Sequence, residues 1–298
     1  MKIFDPHIHL FDLTQGDYHW LKSQNPPFWS DKALINNSFS EQSLVLQPPL
    51  TLAGFVHIEA GFNNDEPWQE INYLEQSCNK PFASVANIDL LATSERFIET
   101  LNKLISYQSL VGVRHILDEQ AHAILTNEQA LINFKNLNKY ALIFEVQLPL
   151  ADTNKATREA LVKVIHDNPN TQFVINHSGF PPMDISSKHW QQWLENLASL
   201  AELTNTVIKC SGWEMCSRNY NEQWLSQCLE GVVDIFGIKR VMLASNFPLC
   251  LFSQQSYHDY WHTIANSTFI SLCSTQQKNA LLCGNALKWY KVKNNECC

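Results

Sequence analysis

Short apolar runs recur along the chain and alternate with helix-like patterns. Eight of them read as strands: Met1–Asp5, Leu52–Ile58, Phe82–Ile88, Leu110–His115, Ala141–Gln147, Gln172–Asn176, Val207–Cys210 and Arg240–Ala244. They are near-continuous hydrophobic stretches rather than clean alternations, which suits parallel strands buried on both faces. The intervening segments carry helical periodicity. In "SERFIETLNKLISY", Phe97, Ile98, Leu101, Leu104 and Ile105 fall on one face. In "REALVKVIHDNP", Leu161, Val164 and Ile165 do the same, and Pro169 marks the stop. "EQWLSQCLEGVVDIFG" gathers Trp224, Leu225, Cys228, Leu229, Val232 and Val233 and ends near Gly237. Eight strand–helix alternations predict an α/β fold, a single-domain (β/α)8 TIM barrel. A doubly wound open sheet is the rival, but no Gly-rich phosphate loop follows the first strand.

Two segments stand apart from the repeat. Residues 22–49, with "NPPFW" and "QPP", are too long for a simple βα turn. As the first βα connection they are expected to lie over the C-terminal mouth of the barrel as a lid. "STQQKNALLCGNALKWY" reads as a last helix, with capping-box spacing at Ser274 and Gln277 and Gly284 as its stop. The barrel is expected to span residues 1–293, leaving 294–298 as a tail.

The 298 residues are 45% apolar and 17% charged, the composition of an ordinary globule large enough for one barrel. A formal charge of -8 argues against nucleic acid or an anionic membrane as partner and leaves a small-molecule substrate. There is no long apolar run, and "MKIFDPHIHLF" enters a strand directly rather than a signal peptide, so the expected location is cytoplasmic. The nine cysteines are odd in number and contain no C-x-x-C, which reads as free thiols in a reducing compartment.

Barrel enzymes gather their chemistry at the C-terminal strand ends. Strand one ends in "DPHIHLFD", where His7 and His9 are two apart and so share a side. Two adjacent imidazoles suit a divalent metal or a pair of hydrogen-bond donors. Strand two ends with His57 and Glu59, each either a pocket residue or a satisfied structural one. Strand four offers Arg114, for a carboxylate or carbonyl oxygen or for a loop salt bridge, with His115 pointing the other way. On strand five, Glu145 and Gln147 share a face; Glu145 is a candidate base, a metal contact, or a partner for His177 or Arg114. His177 follows strand six. Lys209 interrupts the apolar seventh strand, either as an interior cation or as a rim side chain that snorkels. Trp213 and Glu214 come next, with Trp213 expected to line the pocket, as is Trp20 in the first connection. Strand eight opens onto Ser245 and Asn246.

Taken in order, "DPHIHLFD", "GDYHWL", "GVRHILDE", "FVINHSG", "IKCSGW", "VMLASNFP" and "GNALKWY" resemble the amidohydrolase superfamily across essentially the whole chain. More narrowly they resemble its amidohydrolase-related branch of sugar-lactone and dicarboxylate-lactone hydrolases. The resemblance implies a (β/α)8 barrel that opens a small lactone with an activated water. His7 and His9 match the first-strand H-x-H, and His177 matches the sixth-strand histidine. Asn246 falls where most members have an aspartate. In metal-using members that set holds a divalent ion, commonly zinc; several lactonases of the branch need none, and the aspartate is then the base for water.

Asn246 changes this chemistry, because an amide orients water but does not take its proton. Two versions stay open. With Zn²⁺ on His7, His9 and His177, a metal-bound water with a pKa near ~7 needs no strong base, Asn246 orients it, and Arg114 or Lys209 grips the substrate. Without metal, His177 is the first candidate base and Glu145 another. Substrate contacts are expected from Arg114, His57, Trp20, Lys209 and Trp213. Two rivals remain: a zinc-dependent decarboxylase of the same superfamily, and a non-catalytic barrel binding a carbohydrate-like ligand among Tyr18, Trp20, Phe28, Trp29 and Trp213.

Overall fold

All eight apolar runs become strands in the computed structural model, which describes residues 1–292: β1 Lys2–Ile8, β2 Thr51–Ile58, β3 Phe82–Asn87, β4 Leu110–Arg114, β5 Ile143–Val146, β6 Gln172–Ile175, β7 Thr206–Cys210 and β8 Val241–Leu243. The expected tail at 294–298, with Cys297 and Cys298, lies outside the described residues. The strands are parallel and each pairs with its sequence neighbour from β1 to β8. The main crossover helices are Trp68–Ser77, Ser94–Leu104, Glu128–Tyr140, Lys155–Asp167, Lys188–Ala201 and Glu222–Phe236. The ring closes just beyond β8. Ile8 bridges Phe247, the His9 N–H donates to the Phe247 carbonyl at 2.7 Å, and the Asn246 N–H donates to the His7 carbonyl at 2.9 Å. This is the expected (β/α)8 barrel.

Burial on both faces explains the unbroken apolar runs. β5, β7 and β8 are buried along their whole length. One side of the wall, with Phe144, Phe173 and Ile208, packs against helix residues such as Trp193, Leu197 and Leu229. The other side, with Phe4, Val56, Val174 and Val207, fills the barrel and meets Ala286 and Tyr290 from the end of the chain. Helix Ser94–Leu104 buries Phe97, Leu101 and Leu104, while Ile98 and Ile105 are 36% and 40% exposed. The buried row follows i, i+4, i+7, and the two isoleucines fall on its solvent edge.

The C-terminal segment departs from expectation at Gly284. Ser274 and Gln277 form the capping box. Gly284, however, has helical angles (φ -61°, ψ -39°), and the chain passes through a wider π-type turn, Ala280–Gly284, into Asn285–Trp289. The turn is anchored rather than terminated: the Asn285 amide donates to the Ile238 and Val241 carbonyls, both at 2.7 Å. That anchor aims Tyr290 into the barrel.

The long first connection contains only short 3-10 turns, yet it is built around its own core of Phe11, Tyr18, Leu21, Ile35, Phe62 and Phe252. A buried cation organises it. Lys32 donates to the carbonyls of Trp20 at 2.8 Å, Asn25 at 2.8 Å and Lys22 at 3.2 Å. Arg218 bonds Asp31 at 2.7 Å and ties the segment to the loop after β7. The connection therefore covers the mouth as a packed structure. Among the described residues, Cys78, Cys210, Cys216, Cys228, Cys250 and Cys273 are free thiols, and no helix is long and apolar enough to cross a membrane.

Lys32→Met deprives three carbonyls of their donor, and hydrogen bonds to a charged group are worth ~1.5–3 kcal/mol. Limited proteolysis by chymotrypsin near Phe28 and Trp29 is expected to run at least ~10-fold faster in this variant, because local opening then costs less. An unchanged cleavage rate would show that Lys32 does not organise the segment.

Candidate active site

A cavity of about 820 Å³ opens at the C-terminal strand ends. Its polar lining includes His9, Glu59, Arg114, Gln147, His177 and Asn246, and its apolar lining includes Trp20, Pro27 and Trp29. His7 stands directly behind, fully buried, with its ring centroid 5.0 Å from that of His9 and 4.6 Å from that of His177. Unusual backbone brings these rings together. His177, Ser178, Gly179 and Phe180 all have positive φ, as does Asn246 at 60°. The left-handed region costs most non-glycine residues roughly 1–2 kcal/mol, and asparagine tolerates it best. At Gly212 (φ 69°) a Cβ would lie 2.5 Å from His177 Nδ1, so only glycine lets the end of β7 approach this ring.

Hydrogen bonds assign each ring a chemical role. His9 Nδ1 faces two acceptors, the Ile58 carbonyl at 2.8 Å and the Glu59 carbonyl at 3.1 Å. It must carry the proton there, which leaves a lone pair on Nε2. His7 shows the opposite pattern. The Lys209 ammonium lies 2.7 Å from His7 Nδ1, so that nitrogen accepts and Nε2 bears the hydrogen; Nε2 has no partner among the described residues. His177 Nδ1 is 2.9 Å from the Ser211 hydroxyl, which donates or accepts equally well. Burial, reinforced by the positive charges of Lys209 and Arg114, holds all three rings well below the ordinary histidine range, so they are neutral.

Arg114 projects into the cavity but is strongly engaged. Its Nε and Nη2 reach Glu59 Oε1 at 2.8 and 2.7 Å, and Nη1 donates to Gln147 Oε1 at 3.1 Å. Asn246 is oriented by a neighbour: its Nδ2 donates to Glu214 Oε1 at 2.6 Å. This presents Asn246 Oδ1 as an acceptor with no partner among the described residues, and Glu214 Oε2 likewise has none among them. Burial pushes the Glu214 carboxyl up to about 7.

The other expected site residues separate into two groups. Trp20 lines the cavity, its indole N–H fixed on the Ala60 carbonyl at 2.7 Å. His57, Trp213, Glu145 and Lys209 are absent from the lining. His57 pairs with Glu70 at 2.9 Å and accepts the Leu10 N–H at 3.2 Å, the structural alternative for that residue. Trp213 is fully buried against Trp224. Glu145 pairs with Lys209 and Tyr290 rather than with His177 or Arg114. Lys209 is therefore an interior cation, not a rim residue. His115 turns away from the cavity onto the Ile88 carbonyl. Glu214 and Tyr290 received no role from the sequence. Their partners Asn246 and Glu145 are distant along the chain, and no local pattern signals the contacts.

Residues 4–292 match the sequence profile of the Amidohydrolase family. This chain belongs to that family. As an amidohydrolase it is a hydrolytic enzyme, and its similarities extend over nearly its full length. It is 25% identical to an L-fucono-1,5-lactonase of Burkholderia multivorans, over 97% of this chain and 95% of that one. It is 20% identical to an L-rhamnono-gamma-lactonase of Scheffersomyces stipitis, over 98% and 99%. A crystal structure of a Burkholderia multivorans amidohydrolase with bound zinc superimposes with a TM-score of 0.77 at 20% identity, covering 98% of this chain and 100% of that one.

The resemblance brings with it a divalent ion on His7, His9, His177 and position 246. In this amidohydrolase the donors do not fit that ion. Position 246 supplies a neutral amide oxygen in place of a carboxylate. An ammonium occupies the Nδ1 side of His7 and puts the ring proton on Nε2, the nitrogen an ion would need. The charge of Lys209 further disfavours a dication beside it. Among the described residues, no group of three or more His, Cys, Asp or Glu side chains is arranged to hold a metal.

Glu214 makes stability depend on pH with a definite sign. The carboxyl titrates near 4.5 when unfolded and about 7 when folded. Between those values the folded state keeps a proton the unfolded chain has lost. The stabilisation is full below 4.5 and disappears as pH rises through 7. Glu214→Gln removes this loss and retains an acceptor for Asn246. At pH 8 the variant is expected to be more stable than wild type by up to roughly 3 kcal/mol, at ~1.4 kcal/mol per pH unit. At pH 4 the difference should vanish; a gap between the two melting temperatures that does not change with pH refutes the assignment.

Proposed function

We propose that this amidohydrolase opens a neutral sugar lactone by attack of water, without a metal step. The observation that carries this reading is His9. Its ring is neutral, borders the cavity, and offers a lone pair because two backbone carbonyls take up its other nitrogen's proton. A neutral imidazole of fixed tautomer answers where the proton of water goes when position 246 is an amide. Asn246 Oδ1, held by Glu214, accepts the water's second hydrogen and aims the lone pair of its oxygen at the acyl carbon. That oxygen forms the new C–O bond as His9 Nε2 takes the proton, and the tetrahedral oxyanion requires a donor. Collapse breaks the ring C–O bond, and the departing ring oxygen recovers the proton from the His9 imidazolium. His177 borders the same space and is the alternative base, through the nitrogen that the Ser211 hydroxyl leaves free.

The wall chemistry favours a neutral sugar over a dicarboxylate. Arg114, the cation of the lining, is already ion-paired with Glu59, and Asp118 and Glu119 also line the cavity. A dianion would meet one guanidinium and three carboxyl groups. Trp20 and Trp29 supply apolar faces suited to a sugar ring. The same balance disfavours an acid substrate for decarboxylation. The lactonase relatives support the cyclic-ester reading.

A panel of aldono-1,4- and 1,5-lactones, followed by proton release, tests the proposal. At least one neutral lactone should be turned over. Loss of general-base help in His9→Ala should lower kcat by ~10²–10⁴-fold with little change in KM. Thermal-shift hits that the wild-type protein never hydrolyses would instead favour a binding barrel, and silence across the panel would sink the lactonase reading.

A further inference from the structure

Behind the cavity, a chain of buried polar groups runs through the barrel interior. The Tyr290 hydroxyl donates to Glu145 Oε1. The other oxygen of Glu145 pairs with Lys209, whose ammonium also reaches His7 Nδ1 at 2.7 Å and, more weakly, the Pro6 carbonyl at 3.4 Å. Tyr290, Glu145, Lys209 and His7 all have 0% exposure, so no solvent competes for these bonds. We propose that Lys209 is a positioning residue that fixes His7 as an Nε2–H donor, and that Glu145 and Tyr290 hold Lys209 to that task.

Donors and acceptors match one for one around Lys209. An ammonium has three donors and no acceptor. Here they meet one carboxylate oxygen, one ring nitrogen and one carbonyl. The opposite tautomer of His7 would set an N–H against an N–H at 2.7 Å in a dry interior and leave a Lys209 donor unused, a cost typical of buried unsatisfied groups. Lys209 cannot swing away without breaking its ion pair with Glu145, and the phenol of Tyr290 occupies that carboxylate's other oxygen. His7 Nε2–H is therefore a preset donor without an acceptor among the described residues. Its ring centroid lies 5.0 Å from that of His9 and 4.6 Å from that of His177, which line the cavity; resting on the lactonase reading, an acyl oxygen that enters between those rings is its acceptor as it becomes an oxyanion. The last described turn, through Tyr290, thus contributes to a site formed at the opposite end of the barrel.

The test separates this inference from the reading it rests on. Long-range ¹H–¹⁵N correlation of histidine-labelled full-length protein, with His7 assigned by its loss in His7→Asn, reports the tautomer without any substrate. Wild type should show a bare Nδ1 and a protonated Nε2. Lys209→Met with Glu145→Gln, which avoids stranding a buried carboxylate, should lose that preference. Lys209→Arg, which retains a donor, should keep it. On a lactone that wild type hydrolyses, the double variant should lose ~100-fold in kcat, as for removal of one oxyanion donor, with KM little changed. A bare Nε2 in wild type overturns the inference, as does one equivalent of zinc in protein purified without chelator. So does an unaltered tautomer in the folded double variant. If no lactone is hydrolysed but the tautomer and its response are as stated, the lactonase reading fails and the role of Lys209 stands.

Discussion

The site depends on the seam where the barrel closes. Two backbone hydrogen bonds join it, Asn246 N–H to the His7 carbonyl and His9 N–H to the Phe247 carbonyl, and three of those four residues, His7, His9 and Asn246, put their side chains in or directly behind the candidate active site. Closure and site assembly are therefore one event. β8 is only three residues long, so the seam is completed by a turn rather than by further strand. That turn requires a left-handed residue at 246, a conformation that Asn adopts at low cost. Asp5 reinforces it from behind, accepting from the Ser245 N–H at 3.1 Å, the His7 N–H at 3.2 Å and the Tyr257 hydroxyl at 3.1 Å.

Around this seam the protein separates its charges from its imidazoles. The cations Lys209 and Arg114 are each matched to a carboxylate, Glu145 and Glu59. Paired in this way, they still project positive potential onto His7, His9 and His177 and add to the effect of burial in keeping the rings uncharged. Neutral rings with distinct tautomers give a site both donors and acceptors. A set of charged rings would give donors alone. The replacement of a strand-eight acid by Asn246 fits this pattern, since the amide is oriented by Glu214 rather than ionised.

The first connection shows how a long segment without regular helix stays ordered. Lys32 supplies three hydrogen bonds that secondary structure would otherwise provide, and aromatic contacts such as Trp20 with Trp29 and Phe11 with Phe39 fill the space beneath. The result is an apolar wall facing the polar strand ends, the usual composition of a small-molecule cavity.

The sequence alone determined the architecture. Each buried parallel strand must be apolar on both faces, so its run is visible without knowledge of its neighbours, and the crossover helices are visible by their period. It also picked out His9, Arg114, His177 and Asn246, because strand ends are local features and polar residues there are conspicuous. The tertiary structure decided the roles. His57 and Trp213 carry the same local signal as the cavity residues, yet Glu70 claims one and packing against Trp224 the other. Glu145 and Lys209 face inward and find each other across the barrel, and Glu214 meets Asn246 from the neighbouring strand end. A shifted carboxyl depends on how deeply the fold buries it, and a tautomer on which donor lies within 3 Å. Barrel closure sets that distance between residues far apart in the chain, and no local pattern encodes it.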